Sequence, residues 1–493
     1  MGTIRKQAIL SSILVYIGFV VGAFNVYLST INGSLTEAEY GLTRLFFDIA
    51  QNMFAFGSLG IIPVLFKFYP YYKDNLPAKE NDLLTWSLLT ALIGFGIVIG
   101  LALFFRTSIT DQFVQRSSLF VQYFYWVFPF AAGMLLFSVL EGYSWALKQT
   151  ILPAFLKETF FRVTTTSFLL LFYFGLISFD TFIKLFSISY LVIFLILLIY
   201  LVRKGHFHLN FKRSRVTKKF AKKMFGMQSL IFGGILISAL GQTIDGILIA
   251  SLKGLGTAAI FTVAQYVANL VQVPQRSMQS ISTGILSQAW KDKDYKEINR
   301  IYGRTSINLL IMALFIYGNV VLNITPAIEL LGMQAIYLTG VQTLFILGIA
   351  RIIDAGTGVN GTIIATSTFW KFDFFSGVVM LALMIPSNYF LIKEYGIIGS
   401  AYAQIISMTV YNFIRWEFLR RKFNMQPFTW KTLYTLLWSL GSFLIIYYAM
   451  QSFTGWLGLF ARAISFSALM IAGVFWLRLT PDALQLWEKW TKR

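Results

Sequence analysis

LLTWSLLTALIGFGIVIGLALFF, residues 83–105, decides the fold: it is apolar throughout and holds no charged residue between Asp82 and Arg106. A helix of about 20 such residues crosses the roughly 30 Å hydrocarbon core of a bilayer. Lipid offers the backbone no hydrogen-bond partner, so a crossing segment of this kind must satisfy itself as a helix. Comparable runs recur along the chain, and the pattern predicts about 14 spans. They fall at residues 8–31, 41–69, 83–105, 119–146, 151–176, 181–202, 224–252, 257–288, 301–322, 335–356, 372–391, 397–417, 430–451 and 456–477. Hydrophobic residues make up 57% of the 493-residue chain and charged residues 13%. A soluble protein has about half and a quarter, and so few polar side chains could not cover a single soluble core of this length. The expected fold class is therefore all-α, a polytopic membrane protein.

The first run starts after the basic residues of positions 3–7 and continues to Ile31. It is too long for a signal-peptide core and is expected to be the first membrane helix. The chain has no cysteine, which excludes a disulfide frame, thiol catalysis and Cys-based metal sites. Its two histidines, His206 and His208, share one basic loop and are too few to ligate zinc. No metal and no cofactor is expected. No connecting loop has room for an extramembrane catalytic domain.

The net charge of +20 is unevenly spread. With the N-terminus inside, roughly thirty Lys and Arg fall on the cytoplasmic side and about five on the other. Arg203, Lys204, Lys212, Arg213, Arg215, Lys218, Lys219, Lys222 and Lys223 crowd one connection without a single acid. Such loops set orientation and touch anionic inner-leaflet lipid; binding of nucleic acid is not expected. Both termini are placed in the cytoplasm. Two surface helices are expected there: one over 290–304, and a tail opened by Thr480-Pro481 and carrying Trp487 and Trp490.

A faint repeat relates two stretches at an offset of roughly 220 residues. Residues 35–41 (LTEAEYG) separate spans one and two; residues 255–261 (LGTAAIF) separate spans seven and eight. Repeats of this kind are common in transporters. The expected organisation is an N-terminal lobe of six spans (1–202), a basic cytoplasmic linker (203–223), a C-terminal lobe of six spans (224–421), and two trailing helices with a cytoplasmic amphipathic tail (422–493).

A charge at the bilayer centre that faces lipid costs from about 3 to more than 10 kcal/mol, so it faces a partner or water. Counting about 1.5 Å per residue from the middle of each span puts Arg162, Arg276 and Arg351 deepest. Asp48 and Asp245 lie toward the outside, Glu141, Glu158 and Asp354 toward the inside, and Arg44 near the outer interface. Glu158 and Arg162, Arg351 and Asp354, and Arg44 and Asp48 are spaced to share helix faces and could neutralise each other. Arg276 has no acid within a turn and follows Pro274, which frees backbone carbonyls. Gln265, Asn269 and Gln272 add hydrogen-bonding groups to the same span. Arginines from separate spans at similar depth would form a positive cavity, and the guanidinium fork suits phosphate oxygens. The candidate substrate-binding residues are Arg276, Arg351, Arg162, Arg44, Gln265 and Asn269. Asp48 and Asp245 are candidate ion-coupling residues.

Ile4-Arg5-Lys6-Gln7, Ser11-Ser12, Tyr16-Ile17-Gly18 and Gly22-Ala23-Phe24-Asn25 resemble the opening of bacterial oligosaccharide flippases. So do Glu39-Tyr40-Gly41-Leu42-Thr43-Arg44, Gly60-Ile61-Ile62-Pro63 and Lys67-Phe68-Tyr69-Pro70, and the region of residues 274–290. These are the Wzx-type polysaccharide biosynthesis proteins of the multidrug/oligosaccharidyl-lipid/polysaccharide (MOP) exporter superfamily. The resemblance implies two helical lobes and alternating access in the bacterial cytoplasmic (inner) membrane. It implies translocation of an undecaprenyl-diphosphate-linked oligosaccharide from the inner to the outer leaflet, for O-antigen, lipopolysaccharide or other surface polysaccharide. The partners would be that lipid-linked oligosaccharide, a polysaccharide polymerase and glycosyltransferases. The driving force would be a coupling ion, H+ or Na+, or the membrane potential. Alternatives are a multidrug or cation exporter or a lipid II flippase of the same superfamily, and a membrane-embedded glycan polymerase or glycosyltransferase. A transporter is expected rather than an enzyme, because the outward loops are short for a sugar-holding catalytic site.

Overall fold

A computed structural model describes residues 3–483, without the side chains of residues 3–13, 15 and 16. The described chain is helical with no strand, and it divides into two compact units, residues 1–259 and 260–493. The first holds α1 (Thr3–Thr30), α2 (Glu37–Ser58), α3 (Ile61–Asn75), α4 (Leu83–Phe104), α5 (Arg106–Val114), α6 (Ser118–Tyr123), α7 (Val127–Ala146), α8 (Ile151–Ala154), α9 (Phe161–Tyr173), α10 (Phe179–Arg203) and α11 (Arg215–Leu252). Helix α12 (Leu255–Ala268) begins at its end. The second unit continues with α13 (Val273–Lys291), α14 (Tyr295–Leu330), α15 (Val341–Gly356), α16 (Asn360–Thr366), α17 (Trp370–Tyr395), α18 (Ile397–Phe423), α19 (Trp430–Ala449) and α20 (Gly455–Trp476).

Helices occupy all fourteen positions at which the sequence places spans. Among the described residues ten helical stretches are long and apolar enough to cross a membrane; α2 and α3 form an eleventh, bent by 45°. The bend falls at Leu59 and Gly60, both at positive φ (48° and 75°), a conformation that glycine adopts freely and leucine only at a cost. Two further stretches are interrupted. A π-helical segment, Phe155–Phe160, separates α8 from α9, and a 3₁₀ segment, Asn269–Gln272, separates α12 from α13. Pro274 explains the second interruption: it lacks the N–H that would continue the ladder.

In the first unit α7 is central, packed on α2, α3, α4 and α10. Glycine sets its distance from α10, because a Cβ on Gly133 would run into the backbone of Tyr190 and Leu191. Aromatic rings fill the same interface: Phe130 stacks on Phe186 at 4.9 Å and meets Tyr190 edge-on at 5.1 Å. Helix α1 lies against α8, the π segment and α9. The two stretches matched by the repeat touch. Gly41 packs on the carbonyl of Leu255, and Gly256 on the side chain of Glu37.

The basic connection is half loop and half helix. Residues 204–214 are irregular, and α11 opens at Arg215 behind a Ser214 cap. Asp82, fully buried, fixes the junction, with Oδ2 accepting from Ser214 N (2.9 Å), Thr217 Oγ1 (2.7 Å) and Trp86 Nε1 (3.1 Å). Lys218, Lys219, Lys222 and Lys223 stay exposed on the opening turns of α11.

In the second unit α18 packs on α15 and α17, and α14 packs on α15, α19 and α20. The ring tip of Phe466 of α20 points at Gly318 of α14, with Leu322, Ile446 and Met470 closing the cluster. A separate surface helix over 290–304 is not formed. Trp290 belongs to the end of α13, where its Nε1 donates to Ile363 O at 2.9 Å, and 295–304 are the first turns of α14. Asp294 caps those turns through Glu297 N at 2.9 Å, so α14 starts early instead of lying apart. Residues 481–483 are helical after Thr480; Trp487 and Trp490 lie outside the described residues.

Overpacking a close helix contact costs about 1–3 kcal/mol. Gly133→Val is therefore expected to lower the thermal unfolding midpoint of the detergent-solubilised protein. Gly96→Val, at a site with nothing within 4 Å of the new Cβ, is expected to leave it unchanged.

Candidate functional site

The break between α12 and α13 carries the densest set of sequence-predicted residues. A 3₁₀ turn eclipses side chains three apart, so Asn269 and Gln272 project together. Both meet α15, whose Arg351 and Asp354 are also three apart. Arg351 Nε donates to Asn269 Oδ1 at 3.0 Å, and Gln272 Nε2 donates to Asp354 Oδ2 at 2.9 Å. Asn412 of α18 completes the node: its Nδ2 donates to Asp354 Oδ1 at 3.0 Å. Its Oδ1 accepts from Thr357 Oγ1 (2.8 Å) and Asn360 Nδ2 (2.9 Å), which flank the gap between α15 and α16. Arg351, Thr357, Asn360 and Asn412 are all buried. Asp354 is thus held by amides, and Arg351 reaches Asn269 instead of using its fork only on its near neighbour.

Arg276 lies one turn beyond the break, on α13. It is exposed, and it makes no hydrogen bond or ion pair with any described residue. The buried node holds the break rigid, and the guanidinium is presented next to it. Gln265, one turn before Asn269, is half-buried.

In the first unit Arg162 is committed. Its Nη2 pairs with Glu158 Oε2 at 2.9 Å and its Nη1 donates to Gly18 O at 2.6 Å. The guanidinium lies over Gly22, where any Cβ would crowd it. Asn25 completes the clamp, donating to Arg162 O at 2.8 Å and accepting from Thr166 Oγ1 at 2.5 Å. Gly18 and Gly22, four apart, allow α1 and α9 the close approach that small residues permit in membranes. Arg162 therefore fastens α1, with its charge matched by Glu158. The neighbouring Glu141, buried on α7, pairs with Lys157 of the π segment at 3.1 Å.

The two ion-coupling candidates come together. Asp48 of α2 faces α11 with its carboxylate against Gly246, beside the buried Asp245. Asn52, one turn on, donates to Thr243 Oγ1 of α11 at 2.6 Å. Arg44 shares this face of α2. Its guanidinium stands 5.6 Å from the Tyr40 ring, it forms no ion pair with Asp48, and its enclosed Nε has no acceptor.

Three participants were not singled out from the sequence. Asn412 is an uncharged residue, which a ranking of intramembrane charges by depth passes over. Arg415, buried, pairs with Asp373, donates to Ser376 Oγ at 3.2 Å and stacks on Tyr411 at 3.7 Å; it lies near a span end, where depth gives little warning. Arg462 sits well inside α20 and would have been found by the depth rule used for the other arginines. Among the described residues no cluster of His, Cys, Asp and Glu could hold a metal ion.

No family model and no curated protein sequence matches the chain. Solved structures do. A lipid II flippase MurJ in an inward closed conformation superposes with a TM-score of 0.74 at 17% identity, over 95% of this chain and 99% of that one. An inward-facing multidrug resistance MATE family transporter of the MOP superfamily gives 0.66 at 14% identity, over 85% and 98%. A MOP superfamily transporter from Pyrococcus furiosus, described as having a binding pocket of reversed polarity, gives 0.56 at 15% identity, over 86% and 96%. The chain has the all-helical fold of these flippases and transporters.

A buried donor left without its acceptor costs about 1–3 kcal/mol. Asp354→Leu strands Gln272 Nε2 and leaves Asn412 Nδ2 with Met408 O as its one remaining acceptor. It is expected to speed amide hydrogen exchange over residues 269–276, while Asp354→Asn, which keeps an acceptor oxygen, has the smaller effect.

Proposed function

We propose that this protein is a flippase for a lipid-linked oligosaccharide, moving an undecaprenyl-diphosphate-linked glycan from the inner to the outer leaflet of the bacterial inner membrane by alternating access. One observation carries the reading: Arg276 is an exposed guanidinium with no described partner, next to a rigid helix break inside a predicted span. An uncompensated cation there is costly unless an anion visits it, and a diphosphate matches the guanidinium fork. The fold likeness to a lipid II flippase over nearly the whole chain supports a substrate of this chemistry, and O-antigen or another surface polysaccharide would be its product. Lipid II itself is the second reading, favoured by that same likeness. A cation exporter fits less well, because the accessible intramembrane charge at the break is positive. Arg351 and Asn269 hold the break in shape, and Arg162, already matched by Glu158, contributes position more than charge. The even number of predicted spans and the basic loops support cytoplasmic termini and contact with anionic inner-leaflet lipid.

For energy coupling we propose the Asp48–Asp245 pair. Two carboxylates brought side by side between α2 and α11 repel each other, and uptake of a proton or a small cation relieves that repulsion.

Proteoliposomes loaded with a fluorescent undecaprenyl-diphosphate oligosaccharide test both proposals. Arg276→Ala is expected to slow translocation by at least about tenfold, equivalent to roughly 1.4 kcal/mol, with the folded yield unchanged. Wild-type rates in that variant would remove the basis of the reading, and preferential transport of lipid II would select the second one. Asp48→Asn is expected to transport at a rate that no longer responds to an imposed proton or sodium gradient; an unaltered response would place coupling elsewhere.

A further inference from the structure

Arg462 is the only charged residue on α20. It lies on the stripe Gly458, Phe466, Met470 that packs toward α14. Two sets of contacts fix how α20 runs along α14. Phe466 meets Gly318, while at the far end Thr480 donates to Asn308 and Asp482 pairs with Arg304. The helices are antiparallel, so Arg462, one turn before Phe466, stands level with Leu322 and Asn323. Among the described residues no acid forms an ion pair with Arg462. Helices α19 and α20 contain none, and α14 has none between Glu297 and Glu329. The Nε of Arg462 is enclosed and has no hydrogen-bond acceptor, and the residue as a whole is half-buried.

Arg462 is seven residues from Gly455, roughly 10 Å along the helix, in a hairpin whose Leu437, Leu440, Leu457 and Ile464 are open to lipid. Side chains on a helix lean toward its N-terminus, and an arginine reaches several ångströms along its stem. The guanidinium is therefore carried toward the Gly455 end, just beneath the head groups of that leaflet. One edge donor stays enclosed in the α14–α20 seam while the tips reach outward. A phosphate approaching from the side could take the two Nη tips together, a two-pronged contact that arginine makes and lysine does not.

We propose that Arg462 is a binding position for a phosphate-bearing lipid head group at the α14–α20 seam. The proposal holds whether or not the chain translocates a lipid-linked glycan. The phosphate could belong to an ordinary anionic phospholipid or to a polyprenyl diphosphate, and the chemistry that recognises them is shared.

The test uses the full-length protein with a photoreactive benzoylphenylalanine at Leu459, one turn from Arg462, or at Ile464 on the lipid face as control. It is presented with phosphatidylglycerol, undecaprenyl diphosphate or the phosphate-free diacylglycerol. Crosslinking from position 459 is expected to favour the phosphate-bearing lipids over diacylglycerol by about tenfold, with no such preference from 464. Arg462→Gln is expected to abolish the preference, and Arg462→Lys, which keeps charge and fold, to retain only part of it. Stronger crosslinking to undecaprenyl diphosphate than to phosphatidylglycerol assigns the site to the carrier; equal crosslinking assigns it to membrane phospholipid. No phosphate preference at 459 in the otherwise wild-type chain overturns the proposal, as does a folded Arg462→Gln protein that keeps the preference.

Discussion

The hydrocarbon of a bilayer does not hydrogen-bond, and this one constraint shapes the polar contacts within the spans. A side chain that would find water in a soluble protein must here find another residue or remain expensive. Asp354 is the clearest result. It sits among three helical elements, and its two oxygens are taken by Gln272 and Asn412. Asn412 in turn takes up Thr357 and Asn360 at the end of α15. Two broken helices, α12–α13 and α15–α16, are tied to each other and to α18 through side chains that the bilayer would otherwise leave unsatisfied. Rigidity at a helix break usually has to be supplied by neighbours, and here a single amide–carboxylate node supplies it.

The sequence was most informative where the chemistry is coarse. Apolar runs such as 83–105 became helices because no other element satisfies its own backbone in hydrocarbon, and charge spacing correctly suggested that Glu158 and Arg162 would meet. For Arg351 and Asp354 spacing gave only part of the account. Asn269, Gln272 and Asn412 also engage them, and no one-dimensional pattern shows which helix will be adjacent. The 3₁₀ turn was half legible: Pro274 announced a disturbance, while its position one turn earlier, at Asn269–Gln272, depended on contacts with α15. The π segment at Phe155–Phe160 left no mark in the sequence, and Asp82 looked like the edge of a span although it fixes the basic connection.

Glycine does in this chain what large side chains do in a soluble core. Gly18 and Gly22 bring α1 within reach of Arg162, Gly133 brings α7 onto α10, and Gly318 receives the ring of Phe466. Association between membrane helices draws on packing and interhelical hydrogen bonds because the surrounding lipid is as apolar as the helices. Close approach therefore replaces the hydrophobic effect as the source of specificity, and polar clamps such as Asn25–Thr166 form where glycine has opened the way.

The wide turn at Phe155–Phe160 has a mechanical consequence. A π segment holds residues beyond the α-helical count, and each residue of an α-helix turns the chain by about 100°. Were that slack to anneal or migrate along the rod, everything after it would spin about its own axis by a large angle. Arg162 and Thr166 would swing away from Gly18 and Asn25, and Lys157 would lose Glu141. The phase of α9 and the seating of α1 are thus one variable: the bulge behaves as a cam, and the polar teeth on either side of it determine where the cam comes to rest.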